Sequence, residues 1–337
     1  MFAPKYKRIF VLGAGFSKAF SEKMPLIKDL SEGILTTGLP AFKKLKFFAN
    51  RYHELSNSSG EFSDYENLGT ILFTKRIFKD FNEEMEYLQC QNIYLQYIYH
   101  QINGYEIDAE NYELFLEFLK LVSFSWRRRG NQEIGENLIV TFNYDLLIEG
   151  ACENEKNISN RALIGPAGYD YGISMNKYES GRFIDANDRK IVDLIKLHGS
   201  FNWFKAKGAD TTDHHYIYKV NKDDPNFGIH KHDTPCFIPM AHSKDSFLTG
   251  TLYNTLWAKA TSYFNEAEEI IFIGYGFPTT DLNNLTYFLP YKEKIKAINV
   301  LEPLGSPKLR RLQNIFGEGR IKNMNAKEYI RQEILGA

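Results

Sequence analysis

Ile9-Phe10-Val11-Leu12-Gly13-Ala14-Gly15-Phe16-Ser17 is an apolar run that stops on glycine. Four apolar residues with two β-branched members predict a buried strand. Glycine belongs where the chain must turn tightly and another group must come close. A helix is expected to follow, and its first N–H groups and positive dipole end would suit a pyrophosphate. Ser17 adds a hydroxyl. The dinucleotide fingerprint GxGxxG is incomplete, because residue 18 is Lys. Gly13, Ala14, Gly15 and Ser17 are therefore a candidate phosphate loop, and a tight strand-to-helix turn without ligand is the plainer alternative.

Outward from this stretch, similar runs recur at Leu138–Phe142, Val192–Leu197, Ile270–Ile273 and Ile295–Leu301. Near-continuous apolar strands suit a parallel sheet buried on both faces. Helical segments such as Asn254–Glu266 separate them. The alternation predicts an α/β fold, a Rossmann-like doubly wound parallel sheet spanning one domain over 1–337. In such sheets ligands gather at the carboxyl ends of the strands. There the sequence places Asn143 and Asp145, then His198-Gly199-Ser200, then Gly274-Tyr275-Gly276, then Asn299 and Glu302. Asn143 and Asp145 suit polar contacts in a cleft, and equally suit the start of the next helix. His198 is the natural base near neutral pH, or a satisfied core histidine.

Residues 31–135 read as an inserted helical subdomain. Phe115, Phe118, Leu119, Val122 and Trp126 mark one helical face. Phe78, Phe81, Met85 and Leu88 mark a weaker one, and core packing is the expectation for both. The triplet Arg127–Arg129 reads as cations at the end of the Trp126 helix. A glycine- and tyrosine-bearing stretch, 163–190, suits a loop or hairpin near a ligand. Lys205–Pro235 reads as a polar surface loop. Its His214, His215, His230 and His232 lack thiolates and a regular frame, which disfavours a zinc site.

Bulk numbers narrow the classes. A net charge of −1 argues against a nucleic-acid or polybasic membrane binder. Cys90, Cys152 and Cys236 are far apart and form no CxxC pair, so neither a disulfide framework nor a zinc ribbon is expected. No signal peptide or membrane-spanning run is read, and a cytoplasmic protein is expected.

Taken in order, GAGxS, TxNxD, LHGS and GYGxxxxD resemble the sirtuin family. The phrases TFNYDLLIE and KLHGSFNW look closest to its bacterial sirtuin-like branch, which is associated with anti-phage defence. The resemblance covers about 1–30 and 135–310. It implies NAD as substrate and no metal. Gly13, Ala14, Gly15 and Ser17 would hold the pyrophosphate, and Asn143 would lie beside the nicotinamide ribose. Asp145 would meet the carboxamide end, and His198 the ribose hydroxyls or the nucleophile. Gly274 and Gly276 would approach the phosphates and adenosine, with Asn299 near the adenine ribose. The zinc ribbon and a substrate-lysine loop are missing, and the acidic residue after Asn299 is displaced to Glu302. The first two departures favour simple NAD+ hydrolysis over lysine deacylation. A gated NADase is the expectation, a homo-oligomer or one controlled by a partner ATPase or another defence protein. The alternatives are an NAD-dependent protein deacylase or ADP-ribosyltransferase using the same site, and a non-catalytic NAD or ADP-ribose sensor.

Overall fold

A computed structural model describes residues 7–26, 29–30, 43–45, 64–73, 80–102, 104–123, 127–129, 132–134, 137–154, 168–171, 176–179, 182–185, 190–205, 217–220, 234–239, 251–278 and 282–336. Its centre is a seven-stranded sheet. The strands are β1 (Arg8–Leu12), β2 (Asn137–Thr141), β3 (Gly168–Asp170), β4 (Lys190–Lys196), β5 (Glu269–Ile273), β6 (Ile295–Val300) and β7 (Ile321–Asn323). Their order is β7-β6-β5-β1-β2-β4-β3, and every pairing is parallel. The Rossmann-like α/β fold is thus present. Strands β3 and β7 escaped the sequence reading, because three-residue edge strands carry little pattern.

The chain leaves β1 toward one side of the sheet and returns later on the other, so the order switches at β1. Side chains Ile9 to Leu12 and Leu138 to Val140 are buried, as strands covered on both faces must be. Helix α1 (Ala14–Phe20) follows β1 directly. Within 31–135 lie α2 (Asp64–Phe73), α3 (Phe81–Ile102) and α4 (Tyr112–Ser123).

Helix α4 packs against β1 and α1. Phe115, Phe118, Leu119 and Val122 are all buried. The Phe118 ring stands edge-on to Phe10 at 5.6 Å, and the Phe115 ring edge-on to Phe20 at 5.0 Å. Each such buried side chain contributes about 1.5–3 kcal/mol in area terms. Asn137 ties α4 to the sheet: its amide donates to the Leu121 carbonyl at 3.0 Å, and its carbonyl accepts from Arg8 Nε at 3.0 Å. Trp126 lies outside the described residues.

Two expectations for this region fail. The triplet Arg127–Arg129 does not end a helix. The described part of α4 runs to Ser123, and the triplet is a strand that pairs antiparallel with Gln132–Ile134, so its backbone groups take part in a ladder rather than a helix end. The second apolar stripe does not face the core either. Phe81, Met85 and Leu88 are 71%, 40% and 44% exposed, and Phe78 lies outside the described residues. α3 instead buries Tyr87, Cys90, Tyr94, Tyr97 and Ile98. Tyrosine brings more apolar area than Met or Leu when its hydroxyl has an acceptor. Tyr97 has one, the Leu30 carbonyl at 2.9 Å, and Tyr87 donates to the Ile71 carbonyl.

Further α-helices among the described residues are α5 (Leu147–Asn154), α6 (Thr251–Glu266), α7 (Leu282–Phe288), α8 (Pro307–Phe316) and α9 (Ala326–Tyr329). α8 starts as its sequence dictates. Ser306 caps it, accepting from Leu309 N at 3.1 Å, and Pro307 occupies the first turn.

A second sheet of five strands runs in the order Thr234–Phe237, Gly199–Lys205, Ile217–Val220, Asn176–Glu179, Arg182–Asp185. The hairpin expected in 163–190 is its antiparallel pair Asn176–Glu179 and Arg182–Asp185. Strands Ile217–Val220 and Thr234–Phe237 replace part of the expected loop 205–235. The four histidines of that loop lie outside the described residues. Among the described residues no group of three or more His, Cys, Asp or Glu could hold a metal ion. Among them, too, no helix is long and apolar enough to cross a membrane.

Candidate functional site

Five strand ends converge on one cavity of about 450 Å³, a size suited to a small-molecule ligand. From β1 come Ala14, Gly15 and Ser17. From β2 come Asn143 and Asp145, and from β4 comes His198. From β5 come Gly274, Tyr275 and Gly276, and from β6 come Asn299 and Glu302. Of the residues given a ligand role by the resemblance only Gly13 is not in the lining, and of the other strand-end residues Gly199 and Ser200 are not. Gly13 is the residue beneath the loop, at the N-cap of α1. Asp281 of the GYGxxxxD motif lies outside the described residues.

The glycines lock two loops together. Gly13 N donates to the Ile273 carbonyl at 3.1 Å, and Gly15 N to the Gly274 carbonyl at 3.0 Å. A Cβ on Gly13 would stand 2.6 Å from Tyr275 Cα, and one on Gly15 would stand 2.9 Å from the Gly274 oxygen. Gly274 has φ +65, and a Cβ there would collide with Phe16 N. The two N–H groups are thus spent inside the protein. Close approach of β1 and β5 loops is one definite reason for glycine here.

Ser17, Asn143 and Asp145 form one oriented chain. Asn143 Nδ2 donates to the Gly13 carbonyl at 2.9 Å and to Ser17 Oγ at 2.8 Å. Ser17 Oγ donates in turn to Asp145 Oδ2 at 2.6 Å. Asp145 Oδ1 accepts from Leu147 N at 3.2 Å, which caps α5 as its residue type allows. Both amide protons of Asn143 are used, so its carbonyl oxygen is what it can offer a ligand. The hydroxyl proton of Ser17 goes to Asp145. The backbone of this segment is held as well: Asn143 N donates to Thr141 Oγ1 at 3.0 Å, and Thr141 Oγ1 donates to the Leu12 carbonyl at 3.1 Å.

His198 lies in the turn between β4 and Gly199–Lys205. Gly199 makes that turn at φ +82, where a Cβ would meet Phe237 Cα at 2.7 Å. The imidazole is 5% exposed and lies among rings. Phe142 is 4.9 Å away and edge-on, and Tyr144 is 6.3 Å away and nearly parallel. Phe142 also stacks on Tyr275 at 4.6 Å. The cavity wall beside His198 is therefore aromatic.

At β6, Asn299 is 1% exposed, and its amide donates to the carbonyls of Lys322 (3.2 Å) and Met324 (2.8 Å). Its Oδ1 is buried without a hydrogen-bond partner among the described residues. Glu302 lines the cavity nearby and forms an ion pair with Lys308, whose ammonium lies over Gly276.

Two residues that were not singled out from sequence lie directly behind Asn143 and Asp145. Lys196, the last residue of β4, pairs with Glu149 of α5 at 2.8 Å, with side chains 1% and 3% exposed. Lys196 Nζ also donates to the carbonyls of Tyr144 and Asp145. Tyr171 donates toward Glu149 Oε1 at 2.9 Å, and lies 3.1 Å from Asn202 Oδ1. Burial, then the Glu149 charge, pushes the Tyr171 hydroxyl well above its ordinary pKa, so it stays a donor. A lysine between Ile195 and Leu197, in a run whose other charged residue is Asp193, was the available signal.

With the geometry in place, the comparison with known families is informative. Residues 137–294 match the model of a family described as the SIR2-like domain. The match supports the sirtuin-like family, whose members are NAD-dependent enzymes, and so implies NAD use. It takes in Asn143, Asp145, His198, Gly274 and Gly276, and leaves Gly13 to Ser17 and Asn299 outside. No curated protein matches the chain.

Proposed function

We propose that the chain is an NAD+ hydrolase that cleaves the bond between nicotinamide and ribose. The observation that carries the reading is the convergence of Asn143, Asp145 and His198 with the β1, β5 and β6 loops on one cavity. From β6 to β4 is four strand spacings, about 19 Å, enough for an extended dinucleotide. The adenosine end would lie by Asn299 and Glu302, the pyrophosphate by Ala14 and Gly15, and nicotinamide by Asp145.

Nicotinamide bound through its ring nitrogen is a cationic leaving group and departs without a proton. The C–N bond breaks with its electron pair going to the ring, and an oxocarbenium-like sugar develops. The Asn143 carbonyl oxygen orients a ribose hydroxyl or the attacking water. Water bonds to the anomeric carbon, and His198 takes its proton, directly or through a ribose hydroxyl. The Asp145 carboxylate stabilises the cationic sugar and orients the carboxamide. The products are nicotinamide and ADP-ribose, and the step uses no metal.

Within this reading the enzyme is cytoplasmic, depletes NAD in anti-phage defence, and is gated by self-association or by a partner ATPase or other defence protein. The motif resemblance is what supports that role. The test is to incubate the purified chain with NAD+, with and without acylated peptides, and to quantify nicotinamide and ADP-ribose. Equal release without peptide supports hydrolysis. Release that requires the peptide, with the acyl group transferred, overturns it in favour of a deacylase.

A further inference from the structure

The buried pair beneath the cavity is not used by any step above. Lys196 directs its ammonium at three oxygens: the carbonyls of Tyr144 and Asp145, and Glu149 Oε1. It therefore fixes the backbone that presents Asn143 and Asp145. A buried ammonium has an electrostatic consequence as well, because it acts through a medium of low dielectric. A void of about 10 Å³ is lined by the cavity residues Ser17, Asn143 and Asp145 and also by Glu149 and Lys196. The Asp145 carboxylate receives only neutral donors among the described residues, the Ser17 hydroxyl and Leu147 N. Its charge is thus available to a ligand as long as the lysine behind it is cancelled.

We propose that the Lys196–Glu149 pair sets the charge of the cavity end formed by Asn143 and Asp145, so that this end selects a cationic ring over a neutral one. Lys196 supplies the shape of the loop, and Glu149 removes the charge that this shape would otherwise bring. Both are positioning residues and neither touches the ligand. The proposal rests on the NAD reading and deepens it: it assigns the preference for oxidised over reduced nicotinamide to an ion pair outside the cavity.

The probes are carba-NAD+, which carries the cationic ring but resists cleavage, and NADH, whose ring is neutral. Their dissociation constants are measured by calorimetry on the full chain and on Glu149→Gln, Lys196→Met and the double variant Lys196→Met/Glu149→Leu. Circular dichroism checks that each is folded. Glu149→Gln is expected to shift the ratio of the two constants about tenfold against carba-NAD+, the order of effect of an uncancelled charge in a low-dielectric surrounding. Lys196→Met is expected to shift it the other way, and the double variant to restore the original ratio within about twofold. A role in shape alone would weaken both ligands together. Should one single variant fail to fold, the other and the double variant read the same quantity. An unchanged ratio in a folded single variant overturns the proposal while leaving the NAD reading intact. If neither probe binds the unaltered chain, it is the NAD reading that falls.

Discussion

At Gly274 the backbone has φ +65 and faces Phe16 N, so this position admits no side chain. Gly274→Ala is expected to cost about 3 kcal/mol, from left-handed strain plus a clash with backbone. Urea unfolding checks it, and a loss below about 0.5 kcal/mol would show that the loops give way easily. The strand-end residues were legible in the sequence because apolar runs stop abruptly on Gly13, Asn143, His198 and Gly274, and Asn299 stands as a polar residue near the end of the run Ile295–Leu301. What each does was less legible. Ser17 reads as a phosphate ligand by its place in the motif, yet its proton goes to Asp145. Lys196 and Glu149 were missed because a charge in a short segment looks like a surface residue until its partner, 47 positions away, is brought to 2.8 Å.

At the level of elements, α3 shows where hydropathy misleads. Three of its apolar residues, Phe81, Met85 and Leu88, point outward, while Tyr87, Tyr94, Tyr97 and Tyr99 are buried beside Leu95, Ile98 and Ile102. Leu88→Lys is expected to change stability by no more than about 0.5 kcal/mol, and Tyr94→Ala to cost about 3–4 kcal/mol. Thermal melts of the two variants check this, and the reverse order would overturn the assignment of the faces. Cys90, on the inner face of α3, has its thiol pushed up to about 11 by burial and by the neighbouring Glu86. The thiolate is the reactive form, and it becomes appreciable only as the pH nears that value. At pH 8, iodoacetamide is expected to leave Cys90 unmodified in the folded protein and to label it in urea, as mass spectrometry of peptides would show. Labelling in the native state would contradict that burial. The five-stranded second sheet went largely unread for a different reason: most of its strands are only four residues long, and Gly199–Lys205 is buried on both sides through Phe204, so no alternation marks it.

For the whole molecule, the parallel α/β architecture followed from five apolar runs and the helices between them. The order in which the strands assemble did not, since strand order depends on which crossovers pack best. That order is what brings β6, β5, β1, β2 and β4 side by side, and so joins five distant segments in one cavity. The claim that this cavity hydrolyses NAD+ is tested most directly by following nicotinamide release from NAD+ in the absence of any acceptor, for the unaltered chain beside Asn143→Ala and His198→Ala. Turnover by the unaltered chain is expected, with losses of about 10²–10⁴-fold in each variant while NAD+ still binds. Undiminished release in both variants would contradict the account.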